Sequence, residues 1–500
     1  MKTIAAALLA LTALTPALAQ DGKPEAKSER PDAAIPPPTV SVTRHRGVFG
    51  GVPVAYVATA GETYLKDKDG TPTAAIFSTA YVKEGPIDPR RPVTFLFNGG
   101  PGSGSVWLHM GAFGPKRVLL PDAKDDAAPP YPIVDNPSSL LDATDIVFID
   151  PVGTGFSKAL GKTDPKTFWG VTSDAKSIAQ FIRQWLNTNN RWNAPKFLGG
   201  ESYGTTRSAA VTRELESSYN DVALNGVILM STILDFAADS ETEGNEMQYV
   251  FTLPSMAATA WYHKHLRQQP TALEPFVQAA REFATGPYLT ALVKGNSLPA
   301  AEHDAIRRQL ADFTGLSETY LENANLRVTP GRFYKELLRD RGLTIGRLDS
   351  RYTGVDYDKS GEEPDNDPSF YGIDGAYTAA INSYARADLN FRPERDYVTI
   401  GSVGNWDWKI EERGRNAYVN VAPYLSRAMR ENSRLKVFVG QGYYDFATPF
   451  YAAEYSMNRP GFLPGRVEFH YYQSGHMMYV RDADLSKLSA DIREFIARQK

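Results

Sequence analysis

Along residues 39–83, short β-branched and aromatic runs alternate with glycine turns at Gly50-Gly51 and Asp69-Gly70, a pattern that predicts antiparallel hairpins. The rhythm then changes. Near-continuous apolar stretches at Val93–Phe97, Asp145–Ile149, 196–199 and 227–230, separated by loops and helical segments, predict parallel strands covered on both faces. Residues 177–186 place Ile178, Phe181, Ile182, Trp185 and Leu186 on one helical face, as a crossover helix packing on that sheet requires. Residues 205–219 are helix formers without proline. From Asp235 to about Trp408 the strand rhythm is absent, and the chain reads as helical or irregular with many tyrosines and acidic loops. Strands resume at 435–439 and 466–472, and an amphipathic helix through Leu485, Leu488, Ile492 and Phe495 closes the chain. The expectation is an α/β core in two parts, 39–234 and 409–500, with an insertion over 235–408 that caps the strand ends where open α/β sheets bind ligands.

The N-terminus changes this picture at one end. Met1-Lys2, an apolar run over 4–14 and Ala17-Leu18-Ala19 form the charged, apolar and small-residue order of a secretory signal peptide, predicting cleavage after residue 19 and export to the periplasm or medium. That run is too short to span a bilayer, and no later segment approaches the roughly 20 apolar residues of a membrane helix. Residues 20–38 mix charges with five prolines between Asp21 and Pro38 and read as a flexible linker. A formal charge of −4, or −5 once Lys2 is removed, argues against a nucleic-acid surface. With no cysteine there is no disulfide framework.

Candidate chemistry centres on Gly200-Glu201-Ser202-Tyr203-Gly204, a G-x-S-x-G elbow between an apparent strand and helix. Such an elbow needs small flanks and holds a nucleophilic serine over the sheet edge. In this order of residues an acid and then a histidine follow later strands. Asp445 lies after the strand at 435–439 and His476 on a glycine loop after 466–472, so Ser202, Asp445 and His476 are the candidate triad. A second loop, Asn98-Gly99-Gly100-Pro101-Gly102, follows the strand ending at Phe97. Its Gly100 amide and that of Tyr203 suit an oxyanion hole. Phosphate binding, the rival reading of a glycine loop, lacks the Lys-Ser/Thr pair and the helix-opening G-x-G-x-x-G. No metal or other cofactor is expected: His263 and His265 lie in a segment that looks helical, where they would splay apart as a solvated pair, and Asp356, Asp358, Ser360, Gly361 and Asp367 read as an acidic surface turn rather than a calcium loop.

Taken together, residues 97–103, 150–157, 200–204 and Gly475-His476-Met477 resemble the serine carboxypeptidase family. The resemblance covers about 93–234 and 435 to the end. It implies an α/β-hydrolase fold, a mostly parallel central sheet with helices on both faces and a large, mainly helical cap, removing residues singly from peptide C-termini by an acyl-enzyme route. It implies that Ser202, Asp445 and His476 form the triad and that Gly100 and Tyr203 form the oxyanion hole. It further implies that Asn98 and Glu201 hold the substrate's terminal carboxylate and that Met477 lines the leaving-residue pocket. Because two anions a hydrogen bond apart repel, such a clamp shares a proton and favours acidic pH. The chain departs from the family pattern at three points. Leu96 stands where a tryptophan is usual, no acid precedes Gly114-Pro115, and Ser103 replaces a common cysteine. The first two departures keep an esterase or acyltransferase open as the alternative, with a non-catalytic binding protein behind it.

Overall fold

A computed structural model describes residues 35–125, 128–216, 221–238, 240–410 and 418–499. The signal-peptide reading, 1–19, and most of the linker, 20–38, lie outside the described residues.

The hairpin region forms three long antiparallel strands, β1 (Val40–Phe49), β2 (Val52–Lys66) and β3 (Pro72–Lys83). They lead into β4 (Val93–Phe97), β5 (Asp145–Ile149), β6 (Lys196–Ser202), β7 (Gly226–Thr232), β8 (Lys436–Gly442) and β9 (Val467–Tyr472). Their order across the sheet is β1-β2-β3-β5-β4-β6-β7-β8-β9, with Lys158–Ala159 added beside β3. Strands β4 to β9 pair in parallel, and β4, β5, β6, β7 and most of β8 are buried, so their sequences carry no polar alternation.

Each face has its own core. On one, helices Val171–Thr188, Tyr203–Glu216 and Ala422–Glu431 cover the sheet, and the first buries the predicted stripe of Ile178, Phe181, Ile182, Trp185 and Leu186. On the other, helix Asp482–Gln499 packs Leu485, Leu488, Ile492 and Phe495 against Phe197, Ile228 and Phe438. This is the α/β-hydrolase fold.

Residues 235–408 hold helices including Met247–Tyr262, Leu273–Phe283 and Ala300–Thr314, with a core of their own around Phe251, Leu310 and Phe333. The last part of this segment behaves differently. Helix Asp374–Ala387 buries Tyr377, Ile381 and Tyr384 in the sheet's own core beside Leu108, Phe113 and Phe148.

The discounted motifs have structural partners. Lys335 Nζ pairs with Asp356 at 2.6 Å with both side chains nearly sealed, and Asp367 caps helix Pro368–Tyr371, so the expected surface turn is in part a buried anchor. The reading of His263 and His265 as a solvated helical pair is corrected for His263. The helix stops at Tyr262, and the half-buried imidazole bonds the Ser350 carbonyl at 2.7 Å, where burial lowers its pKa.

Candidate active site

Parallel strands end at one edge, and the site is assembled there from the turns and loops beyond the strand tips. Register sets Phe97 beside Gly200 and Met230 beside both Glu201 and Gly440. At the tip of β6 the chain turns directly into helix Tyr203–Glu216, and Ser202 takes φ 61°, a left-handed conformation that L side chains adopt at a cost and that lifts its hydroxyl clear of the backbone. Ser202 opens on a cavity of about 520 Å³ that is also lined by Asn98, Gly100, Glu201, Tyr203 and His476.

Behind the imidazole lies Asp445, wholly buried. His476 Nδ1 donates to Asp445 Oδ2 at 2.8 Å, which fixes the tautomer that presents Nε2 as a base. The carboxylate is fully engaged: Oδ1 accepts from the amides of Ala447 at 2.8 Å and Thr448 at 3.0 Å, and Oδ2 also accepts from the Thr448 hydroxyl at 2.7 Å. Burial works against a charged imidazole, but the Asp445 and Glu201 carboxylates outweigh it and raise the His476 pKa above its ordinary value. No hydrogen bond closes between Ser202 and His476 here, as is common before substrate binds.

Sequence spacing missed what holds this pair in place. The His476 amide donates to the Leu348 carbonyl at 2.6 Å, the Gly475 amide to Asp349 Oδ2 at 3.1 Å, and the Ser350 amide to the Tyr444 carbonyl at 3.0 Å. Thus residues 347–350 are stitched to both loops that carry Asp445 and His476. From below, the Ser231 hydroxyl donates to the His476 carbonyl at 2.6 Å, at an irregularity in β7 where Ser231 itself has φ 51°. None of these partners is near its target in sequence, so no local motif signals them.

The glycine loop lies against the elbow with no room to spare. A Cβ on Gly99 would stand 2.5 Å from the Tyr203 nitrogen and 2.7 Å from the Glu201 carbonyl oxygen, so only glycine lets the two segments meet. Arg207, one turn along the elbow helix, is buried. It pairs with Asp174 at 2.6 Å, donates to the Asn98 carbonyl, and lies over the rings of Phe97 and Tyr203 at 5.3 and 5.1 Å. One guanidinium thus touches the first residue of the loop and the residue after Ser202. A cation in an apolar helix stripe was the available signal.

Glu201 is buried beside Ser202. Its Oε1 accepts from Asn98 Nδ2 at 3.1 Å, while Oε2 has no hydrogen-bond partner among the described residues. Desolvation pushes this carboxyl up to about 7, against the pull of the His476 charge, so it holds a proton at acidic pH. The buried phenol of Tyr479 faces Glu201 without a closed hydrogen bond. Leu96 points into the sheet, where a Cβ on Gly199 would meet it at 2.5 Å, and contributes nothing to the cavity. Trp107 lines the cavity instead. Met477 is 4 % exposed and packs in the core rather than among the lining residues. Among the described residues no cluster of three or more His, Cys, Asp or Glu is arranged to hold a metal, and no helix is long and apolar enough to cross a membrane.

Residues 80–476 match the family model described as serine carboxypeptidase. No curated protein matches the chain. Among solved structures it is similar to Kex1, a prohormone-processing carboxypeptidase from Saccharomyces cerevisiae, with 14 % identity and a TM-score of 0.54 over 89 % of this chain and 91 % of that one. It is also similar to juvenile hormone epoxide hydrolase from the silkworm Bombyx mori, at 11 % identity and TM-score 0.36 over 88 % and 78 %, and to a monoglyceride lipase from Saccharomyces cerevisiae, at 11 % and 0.35 over 88 % and 95 %. The likeness to the carboxypeptidase structure is one of fold.

Proposed function

The chain belongs to the serine carboxypeptidase family, and from that premise we propose that it releases C-terminal residues from peptides through an acyl-enzyme intermediate formed on Ser202. The observation that carries this reading is the sealed His476–Asp445 bond of 2.8 Å opening on the same cavity as the left-handed Ser202 elbow and the Gly99-Gly100 loop.

In the proposed cycle His476 Nε2 takes the Ser202 proton as Oγ adds to the scissile carbonyl, and the imidazolium is steadied by Asp445. The Gly100 and Tyr203 amides receive the oxyanion. His476 then passes the proton to the departing amine and the C–N bond breaks. Water, deprotonated by the same imidazole, next cleaves the acyl ester and restores the Ser202 hydroxyl. Asn98 and protonated Glu201 hold the terminal carboxylate, a role Glu201 can fill only while it carries its proton, so binding is favoured at acidic pH. Residues 235–408 act as the cap that encloses the cleft, and residues 1–19 direct export. The second reading, an esterase or acyltransferase, draws on Leu96 and on the absence of a second acid beside Glu201.

A blocked dipeptide tested as free acid and as C-terminal amide decides between them. A working clamp makes kcat/KM for the acid at least about tenfold higher, the worth of one charge-assisted contact. Equal rates favour the alternative. Mass measurement of the exported protein reports whether cleavage follows Ala19.

A further inference from the structure

Among the described residues lining the cavity, Arg347 is the one permanent cation. Its backbone is held on both sides: its amide donates to Asp367 Oδ1 at 3.0 Å, and its carbonyl accepts from the Phe446 amide at 3.1 Å, next to Asp445. The following residue, Leu348, bonds the His476 amide. The point from which this side chain springs is therefore tied to both catalytic loops. Its guanidinium is exposed and closes no ion pair among the described residues.

The carboxylates facing it are otherwise engaged. Asp367, on the same wall, accepts from the Arg347 and Leu348 amides and from both the amide and the hydroxyl of Ser369, so it is saturated by local donors. Glu241 acts on Arg347 through its charge alone, from an exposed loop. A guanidinium presents a planar fork of donors that matches a carboxylate bidentately, and one left unpaired in a substrate cleft is a recognition group rather than a stabilising one.

We propose that Arg347 receives a carboxylate of the substrate, so that the cleft selects peptides carrying a negative charge next to the scissile bond. This rests on the peptidase reading and supplies its substrate class. With the α-carboxylate of the leaving residue assigned to Asn98 and Glu201, the carboxylate meant is the side chain of a Glu or Asp flanking the bond.

The test uses blocked dipeptides with Glu, Gln or Lys at each of the two positions, as free acids and as C-terminal amides, with the full-length protein and its Arg347→Gln and Arg347→Glu variants. For a side-chain contact, the parent protein prefers Glu over Gln at one position by tenfold or more in kcat/KM. Arg347→Gln removes that ratio and Arg347→Glu inverts the order of Glu and Lys. If instead Arg347→Gln lowers every free acid by tenfold or more, whatever its side chains, and leaves the amides unchanged, the residue serves the terminal carboxylate and the proposal is overturned. It is also overturned if both variants keep the Glu/Gln ratio within twofold of the parent. Should no peptide be cleaved, the peptidase reading fails by itself, and Arg347 is read by protection of Ser202 from a phosphonate label. Protection by a Glu-containing dipeptide that vanishes in Arg347→Gln upholds the contact, and equal protection in both proteins overturns it.

Discussion

Two side chains near Ser202 carry separable effects. Glu201 sits in the elbow itself and is buried with one oxygen unpartnered, which pushes its carboxyl up to about 7. If it holds the substrate's terminal carboxylate by a proton, KM for a free-acid peptide is low below pH 7 and climbs about tenfold per unit above it. Glu201→Gln keeps a donor at every pH, so we expect its KM to lose that alkaline limb while the acidic fall in kcat, set by protonation of His476, remains. Steady-state kinetics from pH 4.5 to 8.5 reads both. Arg207 acts differently, since it touches no cavity surface but binds the Asn98 carbonyl and lies over Tyr203. Arg207→Lys keeps a charge for Asp174 and loses the planar fork. We expect kcat to fall about 10- to 100-fold with KM within about twofold, the signature of oxyanion donors displaced by a fraction of an ångström. A parallel loss in KM would point to a general packing role.

At the scale of elements, a short stretch of the 235–408 insertion is bonded into the loops that carry Asp445 and His476. Residues 347–350 bond the loops after β8 and β9, and Gly475 lies so close that an added Cβ would stand 2.4 Å from the Leu348 oxygen and 2.5 Å from the Asp349 Cα. Backbone on backbone cannot yield cheaply. Gly475→Ala must therefore move either the His476 loop or residues 347–350, and a shift of about 1 Å at a general base costs about 10²-fold in rate. We expect kcat to drop by about that factor with the far-ultraviolet circular dichroism unchanged. Unaltered kcat would show that residues 347–350 move freely of His476. The irregularity in β7 belongs to the same framework, because the Ser231 hydroxyl reaches the His476 carbonyl from the opposite side.

For the whole molecule, buried ionisable groups pull stability in opposite directions. His109 is sealed in the core, bonded to Tyr81 at 2.6 Å and stacked on Phe148, and burial lowers its pKa to about 3. Between about pH 3 and 6.5 the unfolded chain holds a proton there that the folded chain lacks. This contribution is present above pH 6.5 and is lost as pH falls. Glu201 is the reverse, since burial raises it to about 7 and the folded chain keeps a proton that the unfolded chain gives up near 4.5. Asp150, buried beneath the Ser105 amide and the Tyr397 hydroxyl, is raised to about 6 by burial and adds to the Glu201 effect. Those two contributions are complete at low pH and are lost as pH rises through 6 and 7. Between pH 4.5 and 6, Glu201→Gln should make the slope of unfolding free energy against pH more positive by about 1.4 kcal/mol per unit, and His109→Gln more negative by the same amount. Denaturant titrations at half-unit steps measure both slopes, and equal slopes in all three proteins would contradict the assignment.

Hydrophobic periodicity alone determined the hairpins before β4, the buried strands and the crossover stripe of Ile178 and Phe181, because alternation and helical repeat are set by neighbours in the chain. The local G-x-S-x-G motif determined the elbow, whose five residues interact within one turn, and the order of motifs along the chain placed Asp445 and His476 on the loops after two late strands of the same sheet. Local pattern cannot report a contact made across a hundred or more residues. The grip of Asp349 and Leu348 on Gly475 and His476, the Ser231 support, the facing of Tyr479 on Glu201 and the reach of Arg207 to Asn98 all depend on strand register and on how the insertion folds back. So does the difference between Asp367, silenced by four local donors, and Arg347, left open to the cleft. Charge and hydroxyl groups are visible in a sequence, but whether each is satisfied is a property of three-dimensional neighbours, and the tertiary structure alone decided it.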